Sequence, residues 1–425
     1  MKENDQTLII ELNEFNLDLL KFAAESLDLK NIKRILSFQN GTTIADQLRE
    51  HQGLDPWVQW VSVHSESPSQ VHGVIRLGDV SKLELTQVWE RLGKAGITTG
   101  VWGVMNASRN NCPKNEYFIA DPWTYTESAY PPELNQFLAL PVYFAKNYLD
   151  LSIGALLKSG LKTFFFVLRN INFLSLLSDF AFLFKGLLKI KKIGTSFLFS
   201  AYELIATRVF AKYKKKFNPK VNFIFINSIA HFQHHDWHET ESLNKTMTFV
   251  FKSIDRMLEI ILPSNAEKER VLVLSALSQE NVSNESFYCY RQINPTKFLN
   301  SIGVNFSHVE QCMTNDGHVF FLQEDERDRA AEILSKAKVK GQCAFFVEID
   351  KENPCKLFYQ VAVWDKLEES AMLKFEHFEI PFYSQFAIYA KRTGAHIPVG
   401  HYFAHGISFP EQVKNSDVFS YVWAK

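Results

Sequence analysis

Short apolar runs that stop abruptly at polar residues recur along this chain, with longer stretches of helical period between them. Residues 8–12 have the β-branched and apolar content of a buried strand, and the run closes on Glu11, Asn13 and Glu14. Residues 98–104, 222–227 and 271–275 read the same way. Helical spacing predicts helices over 17–26, over 83–95, and through Leu243, Met247, Val250, Phe251, Ile254, Leu258 and Ile261. Asp55-Pro56 has the form of an N-cap followed by a first-turn proline, opening a helix through Trp57, Trp60 and His64. Buried strands alternating with helices predict an α/β fold, a mainly parallel central sheet flanked by helices. Further strands are expected at 318–323, 344–349 and 357–364. In an open parallel sheet ligands bind beyond the carboxyl ends of the strands, so the strand exits are where chemistry is expected.

Residues 134–216 break this rhythm. Apolar residues surround nearly every turn, with one stripe at Leu174, Leu177, Ala181, Phe184 and Leu188 and another at Tyr202, Ile205, Val209, Phe210 and Tyr213. Thirteen basic residues between 141 and 216 face only Asp150, Asp179 and Glu203, so this segment carries +10 and the remainder -11. The organisation expected is one α/β domain from 1–133 and 217–425, with 134–216 as a helical insertion. No uncharged run reaches the roughly 20 residues that span a bilayer. Apolar and basic faces on one helix suit an anionic membrane surface. A cap packed on the main domain with solvated lysines accounts for the pattern equally well.

A net charge of -1 over 425 residues excludes a general nucleic-acid binder. Five widely spaced cysteines without a CxxC argue against a disulfide framework and a zinc knuckle. The polar start, MKENDQTLIIEL, lacks the basic flank and apolar run of a secretion signal, which predicts a cytoplasmic protein, peripheral on the inner face of the membrane if the insertion binds lipid.

The densest chemistry is at 221–238, VNFIFINSIAHFQHHDWH, where a strand runs directly into His231, His234, His235 and His238. Imidazoles at a strand exit suit a metal, a phosphate or a moving proton. An exposed, idle helix start fits the same spacing. The strand exits, in chain order, are LIIELNE with Asn13; Asp55-Pro56 leading to PSQVHG; NSIAH with Asn227 and His231; SQEN at 278–281; and HIPVG with His396. This ordered set resembles the alkaline phosphatase superfamily, specifically its type I phosphodiesterase/nucleotide pyrophosphatase branch.

The resemblance implies an alkaline-phosphatase-like sandwich and a phosphate-containing substrate. In that branch two zinc ions are held by three aspartates and three histidines beside a Ser or Thr nucleophile. Carried over by position, the aspartates become Asn13, Asn227 and Gln279, one histidine becomes Glu280, and His231 and His396 remain. Neutral amides lack the charge that offsets desolvation of zinc, so the cofactor expected is none, or a single divalent metal ion on His231 and His396. The nucleophile slot falls on Asp55 or Pro56. Catalytic roles are therefore expected for Asp55, Glu11, Glu280, His231 and His396, and substrate contacts for Asn13, Glu14, Asn227, Gln279, His64 and His234. The function expected is transfer or cleavage at a phosphate-linked group, on a lipid- or nucleotide-linked sugar in surface-glycan assembly. A binding or scaffold protein that has lost the chemistry is the alternative.

Overall fold

Strand β1 (Gln6–Leu12) is buried everywhere except at Gln6, and its side chains alternate between two hydrophobic cores. Leu8, Ile10 and Leu12 enter one core and Ile9 the other. The computed structural model that shows this describes residues 6–46, 54–110, 112, 114–147, 151–238, 243–263, 269–285, 287–312, 315–350 and 353–423.

The other strands at the centre are β2 (Gln39–Ile44), β3 (Thr99–Val104), β4 (Asn115–Ala120), β5 (Val221–Ile226) and β6 (Glu269–Leu274), and β7 (Ser278–Asn281) forms a separate two-stranded sheet with Gly394–Ile397. The helices around them are α1 (Leu17–Ser26), α2 (Lys30–Leu36), α3 (Pro56–Ser65), α4 (Ser69–His72), α5 (Val88–Lys94), α6 (Leu134–Phe137), α7 (Ala139–Asn147), α8 (Ile153–Asn170), α9 (Phe173–Ile190), α10 (Thr195–Phe217), α11 (Ser228–His235) and α12 (Lys245–Ile261). The main sheet has eight strands in the order Gln412–Lys414, β2, Val399–His405, β6, β1, β5, β3, β4. Its middle, β6-β1-β5-β3-β4, is parallel throughout, while Val399–His405 runs antiparallel to both β6 and β2. The α/β class and the mainly parallel sheet flanked by helices are thus as expected.

One sheet face packs against α1, α2, α10, α11 and α12 through Leu20, Ile32, Val209, Phe210, Phe232, Val250 and Ile254. The other packs Trp60 of α3, Trp89 of α5 and Phe419 onto Ile9, Phe223, Phe225, Leu272 and Leu274. Burying each such side chain contributes about 1.5–3 kcal/mol, which fixes the strand exits relative to one another.

The chain divides into two compact units, Met1–Asn281 with Gly394–Lys425, and Val282–Thr393. The second has its own core, including Tyr290, Phe298, Leu334, Tyr359 and Phe386, and an antiparallel sheet ordered Phe345–Ile349, Lys356–Val361, Asp316–Phe320, His308–Gln311. The boundaries expected from the sequence fall around 134–216 and keep 217–425 together. In the structure α6 to α10 belong to the first unit, and 282–393 stands as a unit of its own.

Candidate functional site

The loop leaving β1 turns sharply at Glu14, whose backbone is left-handed at φ 57°. That conformation costs a non-glycine residue on the order of 1 kcal/mol and recurs at sites where geometry outweighs comfort. It holds the Glu14 carboxylate, only 2% exposed as a residue, against two imidazoles. His234 comes from the last turn of α11, and His396 from the strand Gly394–Ile397, which pairs antiparallel with β7. Glu14 Oε2 lies 2.9 Å from His234 Nε2 and 3.1 Å from His396 Nε2, and the two Nε2 atoms are 3.3 Å apart. Among the described residues this is the one group of three metal-capable side chains.

The surroundings explain why these atoms meet. Gln233, buried in α11, donates from Nε2 to the Glu14 carbonyl at 2.7 Å and accepts the Asn16 N–H through Oε1 at 2.9 Å. Gln279 and His396 are register partners, so both side chains leave the β7 hairpin on one side. A Cβ at Gly394 would lie 2.1 Å from Gln279 Oε1 and 2.7 Å from the Gln233 carbonyl, so only glycine fits there. The Gly394 carbonyl lies 3.3 Å from His234 Nδ1. With that nitrogen donating, Nε2 is left to face the carboxylate.

Burial alone would push the Glu14 carboxyl up, but His396 and His234 outweigh it and hold the group well below the usual carboxylate range. Two imidazole nitrogens facing one carboxylate oxygen and each other require a cation between them, either protons or a metal ion. Three ligands about 2.0–2.1 Å from a tetrahedral zinc-like ion stand about 3.3 Å apart, close to the edges observed. One carboxylate and two imidazoles, with a carbonyl behind one ring, is a donor set that suits such an ion.

Asn13 Nδ2 donates to Glu14 Oε1 and to Asn227 Oδ1, both at 2.8 Å, and its Oδ1 accepts the Trp60 indole N–H at 2.8 Å. Gln279 Nε2 donates to Glu14 Oε2. The amides of Asn13 and Gln279 therefore hold the carboxylate in place, and Asn227 anchors Asn13. Among the described residues Gln279 Oε1, fully buried, has no hydrogen-bond partner.

Other expected site residues lie elsewhere. His231 stacks on Phe199 of α10 with ring centroids 3.4 Å apart, and it is His234, one turn further along α11, that reaches His396. Glu11 and His64 have no exposed surface and bond to each other at 2.8 Å inside a cage of Trp60, Trp89 and Phe419. Sealed there, neither reaches a substrate. Glu280 is exposed on the opposite face of β7 from Gln279. Asp55 sits at the N-cap of α3 without a side-chain cap bond, and the preceding residues 47–53 lie outside the described chain.

Sequence reading missed Gln233, Gly394 and Glu203. Glu203, on α10, accepts the Asn227 and Ser228 N–H groups at 2.6 and 2.9 Å and so caps α11, the helix that carries His234. Burial raises its carboxyl to about 7 despite those bonds. The one signal was a lone acid in the apolar run of α10.

No family model matches the chain, and no curated protein matches it. Several solved structures are similar in backbone course at low identity. Phosphonoacetate hydrolase from Sinorhizobium meliloti 1021, in complex with phosphonoformate, has a TM-score of 0.41 and 10% identity, covering 98% of this chain and 95% of its own. Human ectonucleotide pyrophosphatase/phosphodiesterase 5 has a TM-score of 0.48 and 10% identity, covering 98% and 94%. An inactive form of its murine counterpart, in complex with AMP, has a TM-score of 0.47 and 10% identity, again covering 98% and 94%.

Proposed function

We propose that this protein transfers or cleaves a phosphate-linked group at the Glu14, His234 and His396 cluster, holding a single divalent ion there. The observation that carries the reading is the meeting of a buried carboxylate and two imidazoles within 2.9–3.3 Å at the exits of β1, α11 and the β7 hairpin. A divalent ion held by these three side chains would supply a Lewis acid for a phosphoryl oxygen. Glu14, kept ionised, balances the positive charge gathered among the three atoms. With the ion bound, the Nε2 atoms of His234 and His396 would serve as its ligands and orient it toward the phosphoryl oxygen. Asn13 and Gln279 fix both carboxylate oxygens, so the cluster meets a phosphate without reorganising.

The substrate class that suits the rest of the chain is a sugar linked through phosphate to a lipid or nucleotide, met at the cytosolic face of a membrane during surface-glycan assembly. Supporting this are the exposed apolar and basic faces of α8 and α9. Among the described residues no helix is long and apolar enough to cross a membrane, so the contact proposed is peripheral. A binding-only protein is the second reading, favoured by the closed amide network where the resemblance calls for metal carboxylates.

Turnover of an aryl phosphodiester with added divalent metal tests the reading. The wild type is expected to release the phenol, and Glu14→Gln and His234→Ala to be at least about a hundredfold slower, the scale of one lost electrostatic or acid-base group. Equal rates in all three would remove catalysis from this cluster, and binding without turnover in the wild type would favour the second reading.

A further inference from the structure

The α8–α9 turn, α10 and α12 enclose a groove of about 1000 Å³. Arg169, Arg208, Lys212, Lys215 and Arg256 line it, opposed among the lining residues by Glu259 alone. Such a concentration of positive charge is exceptional in a chain of net charge -1.

Two of these cations are held in place. Asp179, fully buried in α9, accepts from Arg208 Nε and Arg256 Nε, each at 2.8 Å, and Arg256 Nη2 also donates to Ser178 Oγ at 2.8 Å. One carboxylate serves two guanidiniums, and Nη1 of each has no hydrogen bond among the described residues. Fixed guanidinium edges of this kind suit the planar, bidentate recognition of phosphate. Lys212, Lys215 and Arg169 stand exposed around them without a carboxylate partner among the described residues. The first turn of α9, an 18-residue helix, reaches the same groove through Asn172 and Ser175, adding the positive end of its dipole.

Two of the helices that meet at this groove also expose large apolar side chains. Leu157, Leu161 and Phe165 on α8 and Leu174, Leu177 and Phe184 on α9 are each more than half exposed. A patch of that extent on a single chain marks a membrane or partner surface, and the adjoining positive groove selects an anionic one.

We infer that the groove receives the phosphate-bearing headgroup of an anionic lipid while the outward faces of α8 and α9 lie in the adjoining acyl layer. This rests on the peripheral membrane reading above and names the contact that makes it selective. Arg208 and Arg256 clamp the phosphate, and Arg169, Lys212 and Lys215 add the long-range attraction.

Co-sedimentation of the full chain with vesicles of phosphatidylcholine, alone or with phosphatidylglycerol, tests it. The wild type is expected to pellet with the anionic vesicles and not with the neutral ones. The triple variant R169A/K212A/K215A, exposed residues whose loss spares the Asp179 cluster, is expected to bind about a hundredfold more weakly. K158A/K162A/K189A, of equal charge change but outside the groove, is expected to lose less than tenfold. Equal losses in both triples would overturn the groove and leave the membrane reading standing. No pelleting of the wild type would overturn both. Saturable binding of inorganic phosphate that the groove triple abolishes, with no vesicle binding, would make the groove a site for a free anion and overturn the lipid.

Discussion

Two histidines show how differently this protein uses the same side chain. His234 faces a carboxylate and another imidazole, whereas His72 lies at the end of α4 with Nδ1 accepting the Val74 N–H at 3.1 Å and Nε2 lying 3.0 Å from Ser62 Oγ. Since Nδ1 accepts, Nε2 carries the proton, so His72 donates to Ser62, whose hydroxyl donates to Asp46. This arrangement has the residue types of a nucleophilic triad but the wrong polarity, because the imidazole has no lone pair to offer the serine. Burial lowers His72 to about 4. A histidine depressed in the folded state supplies stability above its unfolded value near 6.5, and that stability is lost as the pH falls from there to about 4. Melting followed by circular dichroism at pH 7, 5.5 and 4.5 should show a falling midpoint, and His72→Asn should remove a few degrees of that fall. An unchanged slope in the variant would mean that His72 is not buried as described. Gly73, directly after His72, ends α4 in a left-handed turn at φ 68°. The sequence did not indicate that Glu14 would displace Asn13 as the central side chain, because φ at position 14 decides which of two neighbours points inward.

At the scale of elements, the site depends on α11 being held at both ends. Its N-terminal amides are capped by Glu203 from α10, and its last turn is tied by His234 to the Gly394 carbonyl. Burial raises the Glu203 carboxyl to about 7. For a raised acid the contribution to stability is complete below about 4.5 and is lost as pH rises through 7. Urea denaturation at pH 5, 6.5 and 8 should therefore show Glu203→Gln gaining on the wild type by up to about 3 kcal/mol across that range. A difference independent of pH would show that the carboxyl is not desolvated. Hydrophobic period marked the stripe on α9 and left open whether a bilayer surface or the main domain covers it. Leu174, Leu177, Ala181, Phe184 and Leu188 form that stripe and face outward, while the inward face carries Asp179 between two arginines. Amphipathic period reveals that two faces exist; what covers each is settled by tertiary neighbours. The stripe on α10 does turn inward, with Val209, Phe210 and Tyr213 buried.

For the whole molecule, β1, β3, β5 and β6 were legible and their parallel neighbour β4 was not; strands buried on both faces give unbroken apolar runs, as β1, β5 and β6 do. β2 and β7 were not, since QNGTTI and SQEN hold little apolar surface and are strands only through their partners. The separate unit 282–393 was hidden for a related reason, because the chain leaves and re-enters the first unit along one antiparallel hairpin of β7 with Gly394–Ile397. Of the two imidazoles that meet Glu14, His396 was legible from its motif, while His234 stands where His231 was expected. A helix rotates about 100° per residue, so three residues return to nearly the same face, and sequence cannot decide between them. The divalent metal content of the purified protein, measured by inductively coupled plasma mass spectrometry, tests the site most directly. The account predicts about one ion per chain in the wild type and in His231→Ala, and almost none in His234→Ala. Two ions per chain, none in the wild type, or loss with His231→Ala but not with His234→Ala, would contradict it.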